Sequence, residues 1–343
     1  ANMTGFGYNV SGFGSFPSRG GGELYAFTNA TFTSGGASEQ NGPSLTQARS
    51  GLTGSEASVW KGDTQYFNTS SGIMIWIVPA SATYTITAAG ARGGGNGGNG
   101  AIVRGTFALQ AGEAIYILVG QTGNTSSCGG GGGGGTFVAR AGSTYNANSV
   151  TWASGITVYP LLVGGGGGGQ RDSGSSGPYP GSMGTFGTYE YGGYASNNGN
   201  GGPGGSSPGG GGWSGNGGNG GTSVQNRTNT GRAFINGGVG GNNNRSPGKF
   251  GGGSGATCEV CNTAANAGAG GGYSGGGTRA NVGACYTGGG GGGSFIHSLT
   301  TTTPYTSNGS WGNLQSPHSV YTGSVLNLGQ WSTGSGSVIV QKI

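Results

Sequence analysis

Hydrophobic positions fall in two patterns, and both predict strands. Ile73 to Val78 is a continuous apolar run bounded by Gly72 and Pro79, the signature of a strand buried on both faces. Thr83 to Ala88 alternates instead, with Tyr84, Ile86 and Ala88 on one side and three threonines on the other. The residues between them, Pro79 to Ala82, have hairpin length. Val103, Gly105, Phe107 and Leu109 alternate again, and after a turn at Gln110 to Glu113 comes the buried run Ala114 to Val119. Thr157 to Val163 and Val338 to Val340 complete the set, while helical periodicity is nearly absent.

Glycine then changes the picture. It accounts for 91 of 343 residues, with unbroken runs at Gly129 to Gly135, Gly164 to Gly169 and Gly288 to Gly293. Glycine loses more conformational freedom on folding than any other residue, so order here needs an offset. Backbone hydrogen bonds between packed glycine segments, covalent staples and a β-scaffold holding the end of each run are the candidates. The motif Gly95-Asn96-Gly97-Gly98-Asn99-Gly100 recurs at Gly215 to Gly220. In an extended helix of three residues per turn, Asn96 and Asn99 project together, as do Asn216 and Asn219, leaving two bare glycine edges for close packing. One such helix alone loses to the entropy of ordering; a bundle sharing neighbours does not. Residues 164 to 293 are therefore expected to be an ordered glycine bundle rather than a flexible linker, and the whole an antiparallel all-β sandwich with that insertion. The expected division is 1–26, an extension; 27–163, the first part of the sandwich; 164–293, the insertion; and 294–343, the closing strands.

Composition excludes several classes. Charged residues are only 6% of the chain, and the formal charge of +5 comes from cations scattered without a cluster, which argues against nucleic acid as a partner. No apolar run approaches the ~20 residues of a membrane-spanning helix. Ala1 either follows signal-peptide cleavage or marks where the sequence in hand starts. A Ser/Thr/Asn/Gly-rich surface with four cysteines suits an extracellular or cell-surface protein with persistent disulfides. Asn-X-Ser/Thr sequons stand at Asn2, Asn9, Asn29, Asn68, Asn124, Asn226, Asn244 and Asn308, about the number chance supplies here; they are candidate N-glycosylation sites.

Titratable groups are sparse. His297 and His318 are the two histidines, and the eight carboxylates are dispersed, so general acid–base chemistry is not expected and the chain reads as a non-enzyme without cofactor or metal. His297, beside Ser298, reads as a strand-end residue. Cys258-Glu259-Val260-Cys261 has the spacing of a redox motif or a zinc half-site, but a structural disulfide in a short loop fits better. Cys128 and Cys285, each ahead of a glycine run, would then pair and tie two glycine helices together. Tyr179, Phe186, Tyr189, Tyr191, Tyr194 and Trp213 either cap the bundle or form an adhesive, carbohydrate-stacking surface.

Gly72 to Ala80, Tyr84-Thr85-Ile86 and Ala91 to Gly95 resemble the extracellular glycine-rich domain of the anaplastic lymphoma kinase and leukocyte tyrosine kinase receptors. Thr31-Phe32-Thr33, Gly36-Ala37-Ser38, Tyr116 to Gln121, Pro160 to Val163, Gly209 to Trp213, Gly270 to Tyr273 and Gly336 to Val340 extend the resemblance in order. It implies a tumour-necrosis-factor-like sandwich carrying a bundle of polyglycine II helices. The cysteine pair those receptors carry near the Gly-Ala-Ser motif is absent between residues 27 and 50, and no kinase follows Ile343, so the resemblance implies a fold rather than receptor signalling.

Two function classes follow. The first is a structural subunit of a surface filament, coat or matrix that self-associates. The second is a recognition module for a protein or glycan. Phe6, Tyr8 and Val10 fall at period two, with Phe13 and Phe16 after them. This segment either folds back on its own domain or adds as a strand to the next subunit.

Overall fold

The computed structural model describes residues 22–126, 129–141, 150–151, 155–171, 180–182, 184–189, 194–220, 230–242, 246–257, 266–278, 287–297, 330–331 and 334–343. Its strands are β1 (Asn29–Phe32), β2 (Phe67–Ser70), β3 (Ile73–Ile77), β4 (Ala82–Ala89), β5 (Gly100–Leu109), β6 (Ala114–Leu118), β7 (Thr125–Ser126), β8 (Gly129–Gly130), β9 (Thr136–Ala141), β10 (Val150–Thr151), β11 (Thr157–Gly164), β12 (Gly187–Thr188), β13 (Tyr194–Ser196), β14 (Phe295–Ile296), β15 (Gln330–Trp331) and β16 (Ser337–Lys342). One sheet has the order β1-β16-β4-β5-β15. A second has the order β10-β11-β9-β6-β3-β2, with β14 also on β11, and every pairing is antiparallel. The protein is an all-β sandwich.

Alternation sorts the first sheet cleanly. Tyr84, Ile86, Ala88, Val103, Phe107, Leu109, Val338 and Val340 point into a core shared with Met74, Trp76, Ile115, Ile117 and Val138 of the second sheet. Thr83, Thr85 and Thr106 face outward. The second sheet is buried on its other face too, where Tyr116, Leu118, Phe137, Val158 and Val163 meet Trp213, Phe234, Phe250, Tyr273 and Phe295 from the glycine-rich segments. Three layers result: sheet, sheet, glycine. That is why Ile73 to Val78 is apolar without a break, since its odd and even positions enter different cores.

The expected hairpin at Pro79 to Ala82 does not form. β3 pairs with β2 and β6, whereas β4 pairs with β5 and β16, so the segment crosses between sheets. A strand buried on both faces needs partners that bury it on both edges, and a link of four residues serves a crossover as well as a turn. Two short helices were also not expected. α1 (Leu45–Gly51) is started by a capping box in which Ser44 accepts from Gln47 N and Gln47 reaches back to the Ser44 N–H. α2 (Ala57–Trp60) buries Trp60.

The glycine runs continue the strands. Residues 130–135 lead into β9, β11 leads into 165–170, and 288–293 lead into β14, so each run inherits its direction from the sheet. Their hydrogen bonds repeat with period three. Gly130 N donates to Gln170 O and Gly133 N to Gly167 O; Gly131 N to Asn124 O and Gly134 N to Gln121 O; Gly132 N to Ser254 O and Gly135 N to Gly251 O. Successive residues thus address three different neighbours in rotation, as a three-fold extended helix requires. Gly270 and Tyr273 likewise donate to Gly290 and Gly293, and Gly268 and Gly271 to Gly130 and Gly133. In the repeated Asn motif, Asn96, Asn216 and Asn219 are exposed, Asn99, Gly217 and Gly218 half-buried and Gly97 and Gly98 buried. The first copy departs from the expected extended helix, because Gly97 N donates back to Gly94 O and Gly95 takes a left-handed φ of 70°, which puts Asn96 in a turn.

Packing this close leaves no room for a side chain. A Cβ on Gly132 would clash with the carbonyl of Ala269, well inside the 3.0 Å that real Cβ atoms respect, whereas one on Gly62 would meet nothing within 4 Å. We expect Gly132→Val to lower unfolding stability by at least about 3 kcal/mol and Gly62→Ala to stay within about 0.5 kcal/mol, both read from denaturant melts.

Candidate functional site

Two side-chain clusters stand out from the scaffold. The first gathers most of the convergent charge. Arg140 on β9 lies opposite Ile115 of β6 and Tyr159 of β11, so strand register places its guanidinium at the end of the inter-sheet core. It forms an ion pair with Glu113, whose other oxygen accepts from Gln110 N at 3.1 Å. Tyr159 hydrogen-bonds to Arg140, and the His297 ring stands 5.6 Å from the Tyr159 ring. The backbone of His297 is fixed by donation to Leu161 O at 2.8 Å. Burial pushes the Tyr159 hydroxyl up from its ordinary range, and burial together with the Arg140 charge pushes His297 down. His297 is therefore neutral near pH 7, a cluster arranged to brace one end of the sandwich.

The second cluster is aromatic. β12 and β13 form a hairpin in which Phe186 and Tyr194 stack at 5.5 Å with 28° between ring planes. Tyr194 is 56% exposed. The hairpin is fastened to the glycine layer: Thr188 N donates to Gly291 O, Gly291 N to Thr188 Oγ1 and Gly277 N to Thr188 O, while Ser196 Oγ donates to Gly275 O. Trp213 behaves differently from these rings. It is buried and stacks on Phe234 at 4.5 Å, against the second sheet. Trp213 thus packs inside and Tyr194 lies outside. Tyr179 and Tyr191 lie outside the described residues.

All four cysteines, Cys128, Cys258, Cys261 and Cys285, also lie outside the described residues, as do His318 and the segment carrying Phe6, Tyr8, Val10, Phe13 and Phe16. The described neighbours of the cysteines nevertheless converge. Ser246 Oγ donates to Gly129 O at 2.9 Å and Ala256 N to Ser246 O. Thr257 and Asn266 exchange two backbone bonds, and Asn266 Oδ1 accepts from Thr287 N at 3.1 Å. Of the sequons, Asn2, Asn9, Asn226, Asn244 and Asn308 are outside the described residues. Asn29, Asn68 and Asn124 are partly exposed, on β1, on the edge strand β2 and beside the glycine layer. Among the described residues no group of three His, Cys, Asp or Glu side chains could hold a metal ion.

The Arg140 cluster escaped sequence reading because its members are far apart in the chain and only sheet register joins them. The exposed tyrosine carried a weak signal: it follows a Gly-Gly pair in a segment with few aliphatic residues.

No protein-family model matches the chain. It is 36% identical over 104 residues to the leukocyte tyrosine kinase receptor of Mus musculus, a match covering 29% of this chain and 11% of that receptor. This agrees with the resemblance in part, and the chain spans only a small fraction of its relative.

The His297 environment predicts a pH effect. Its folded pKa lies below the unfolded value, so the unfolded state binds the extra proton, and stability falls as pH drops through the unfolded value of about 6.5. His297→Gln should flatten the decline between about pH 7.5 and pH 5.5 in urea unfolding midpoints; a slope identical to the parent protein would contradict this.

Proposed function

We propose that this chain is a rigid, non-catalytic extracellular module that serves as a structural subunit of a self-associating surface assembly. The observation that carries the reading is the glycine layer, in which backbone carbonyls occupy the space where side chains would stand along runs such as Gly130 to Gly135 and Gly164 to Gly169. We read this layer as a bundle of polyglycine II helices on a tumour-necrosis-factor-like sandwich; the period-three bonding supports the first part of that reading. Such a layer is stiff and offers a protease little extended, accessible backbone. The match to a receptor supports an extracellular setting. Among the described residues, no helix is long and apolar enough to cross a membrane.

Association has a plausible acceptor. β15 pairs only with Gly100 and Ala101, so among the described residues no strand covers Ile102 to Leu109 on the side of β5 away from β4. An edge uncovered among the described residues would accept an added strand, and the alternating Phe6, Tyr8 and Val10 fit one. Donation from one subunit to the next is a heterologous contact that generates an open polymer. The same reading pairs Cys258 with Cys261 and Cys128 with Cys285, supported by the bonds that join the described residues Gly129, Ser246, Asn266 and Thr287 of the flanking segments.

Electron microscopy of the purified protein tests the proposal. We expect filaments or sheets from the full chain and folded monomers after deletion of residues 1–18. A full chain that stays monomeric at high concentration, or a truncated one that still polymerises, would overturn the corresponding step.

A further inference from the structure

We propose that Asn41 is a site of self-modification, deamidating through a cyclic imide to isoaspartate and aspartate. Asn–Gly pairs are the ones most open to this reaction, because glycine puts no side chain in the path of its own attacking nitrogen. Such pairs recur along the chain, and hydrogen bonding sorts them. Gly97 N donates to Gly94 O, Gly199 N to Ser274 Oγ, Gly217 N to Gly231 O and Gly237 N to Phe234 O. Asn99 O accepts from Gly181 N, and Asn200 is bonded through both its N–H and its carbonyl. Of the pairs with described residues on both sides, Asn41–Gly42 alone has no hydrogen bond on either residue. Asn41 is exposed. The pair hangs between two anchors: Gln40 O accepts from Gly240 N at 3.0 Å, and Ser44 N donates to Gln47 Oε1 at 2.9 Å.

The chemistry needs only water. Gly42 N, having lost its proton to hydroxide, attacks Cγ of Asn41; the new C–N bond closes a five-membered imide and the side-chain amide leaves as ammonia. Water then opens the ring. Cleavage at Cγ gives aspartate, and cleavage at the main-chain carbonyl gives isoaspartate, so one water is taken up for one ammonia released. An N–H already donating resists the first step, since its bond is lost when the proton leaves. Asn41 and Gly42 have no such bond to break. The product matters for packing. A Cβ on Gly42 would come within 2.6 Å of the Phe250 ring, and one on Gly72 within 2.3 Å of Asn41 O. Phe250 is fully buried in the core between the second sheet and the glycine layer. Isoaspartate adds a methylene to the main chain at this close-packed seat and introduces a carboxylate where there was a neutral amide.

The proposal is independent of polymer formation, so failure of either leaves the other standing. Peptide mapping by mass spectrometry is the test, on the full chain kept in mildly alkaline buffer beside a sample unfolded in urea. In the native chain Asn41 should convert about tenfold faster than Asn216 or Asn236, the factor that one hydrogen bond on the attacking nitrogen supplies. In urea no N–H is held, and the three sites should converge. Asn41→Gln, which would have to close a larger ring, should remove the early acidic product from isoelectric focusing gels. A native Asn41 that converts no faster than Asn216 and Asn236 would overturn the proposal. So would an Asn41 lead of the same size in urea, which would put the cause in the sequence rather than the fold, or an early acidic product that survives Asn41→Gln.

Discussion

The whole molecule depends on hydrogen bonds made directly between glycine backbones. They form because glycine lacks a Cβ, and the same absence makes the segments expensive to order. An interior run such as Gly130 to Gly135 donates from every residue and accepts at most of them, but each bond is shared by two residues. The yield is near one bond per residue, roughly 0.5–1.5 kcal/mol, against about 1–2 kcal/mol for fixing the backbone. Backbone bonding alone leaves a deficit. The rest of the structure makes sense as what removes it.

Two devices do so. First, the runs extend strands of the second sheet, so the sheet fixes their direction. Second, Trp213, Phe234, Phe250, Tyr273 and Phe295 project from the glycine-rich segments onto that sheet, each contributing roughly 1.5–3 kcal/mol of apolar burial. Side chains that enter the layer itself are small and replace a bond rather than interrupt one. Ser254 is fully buried, donates to Pro208 O at 2.7 Å and accepts from Ala269 N at 2.7 Å. Ser294 does the same between Ser182 O and Gly165 N. A serine hydroxyl, with one donor and two lone pairs, can stand in for a peptide group at such a point.

Local pattern made much of this legible. Alternation assigned Tyr84, Ile86, Val103 and Phe107 to the core, and the unbroken Ile73 to Val78 run announced a strand buried on two sides. What period two cannot convey is which sheet a strand joins, and so Pro79 to Ala82 looked like a hairpin while serving as a crossover. The Gly-Asn-Gly-Gly-Asn-Gly repeat was legible only in part: Asn216 and Asn219 lie outward together, whereas a turn from Gly94 to Gly97 interrupts the first copy. The aromatic residues of the insertion were harder. Trp213 and Tyr194 sit in similar Gly/Ser-rich surroundings, and only the position of the second sheet decides that one is buried and the other is not. The Glu113–Arg140–Tyr159–His297 cluster was invisible for the same reason, being a product of register between β6, β9 and β11.

This architecture also limits where function can reside. Where carbonyls fill the side-chain positions, as along Gly130 to Gly134 and Gly165 to Gly169, the glycine layer leaves little interior room, and among the described residues both faces of the second sheet are covered. What remains are the outer face of the first sheet, the free edges of strands and the hairpins that close the glycine segments. Those places are chemically mild here: threonines with Arg104 and the exposed Ile339 on the outer face, amides along the glycine edge, one stacked aromatic pair. Contacts of that kind are weak singly and become effective through repetition, which the proposed assembly would supply by presenting them at fixed spacing. In that proposal rigidity and surface contact are complementary, the glycine layer holding the spacing and the periphery making the contact.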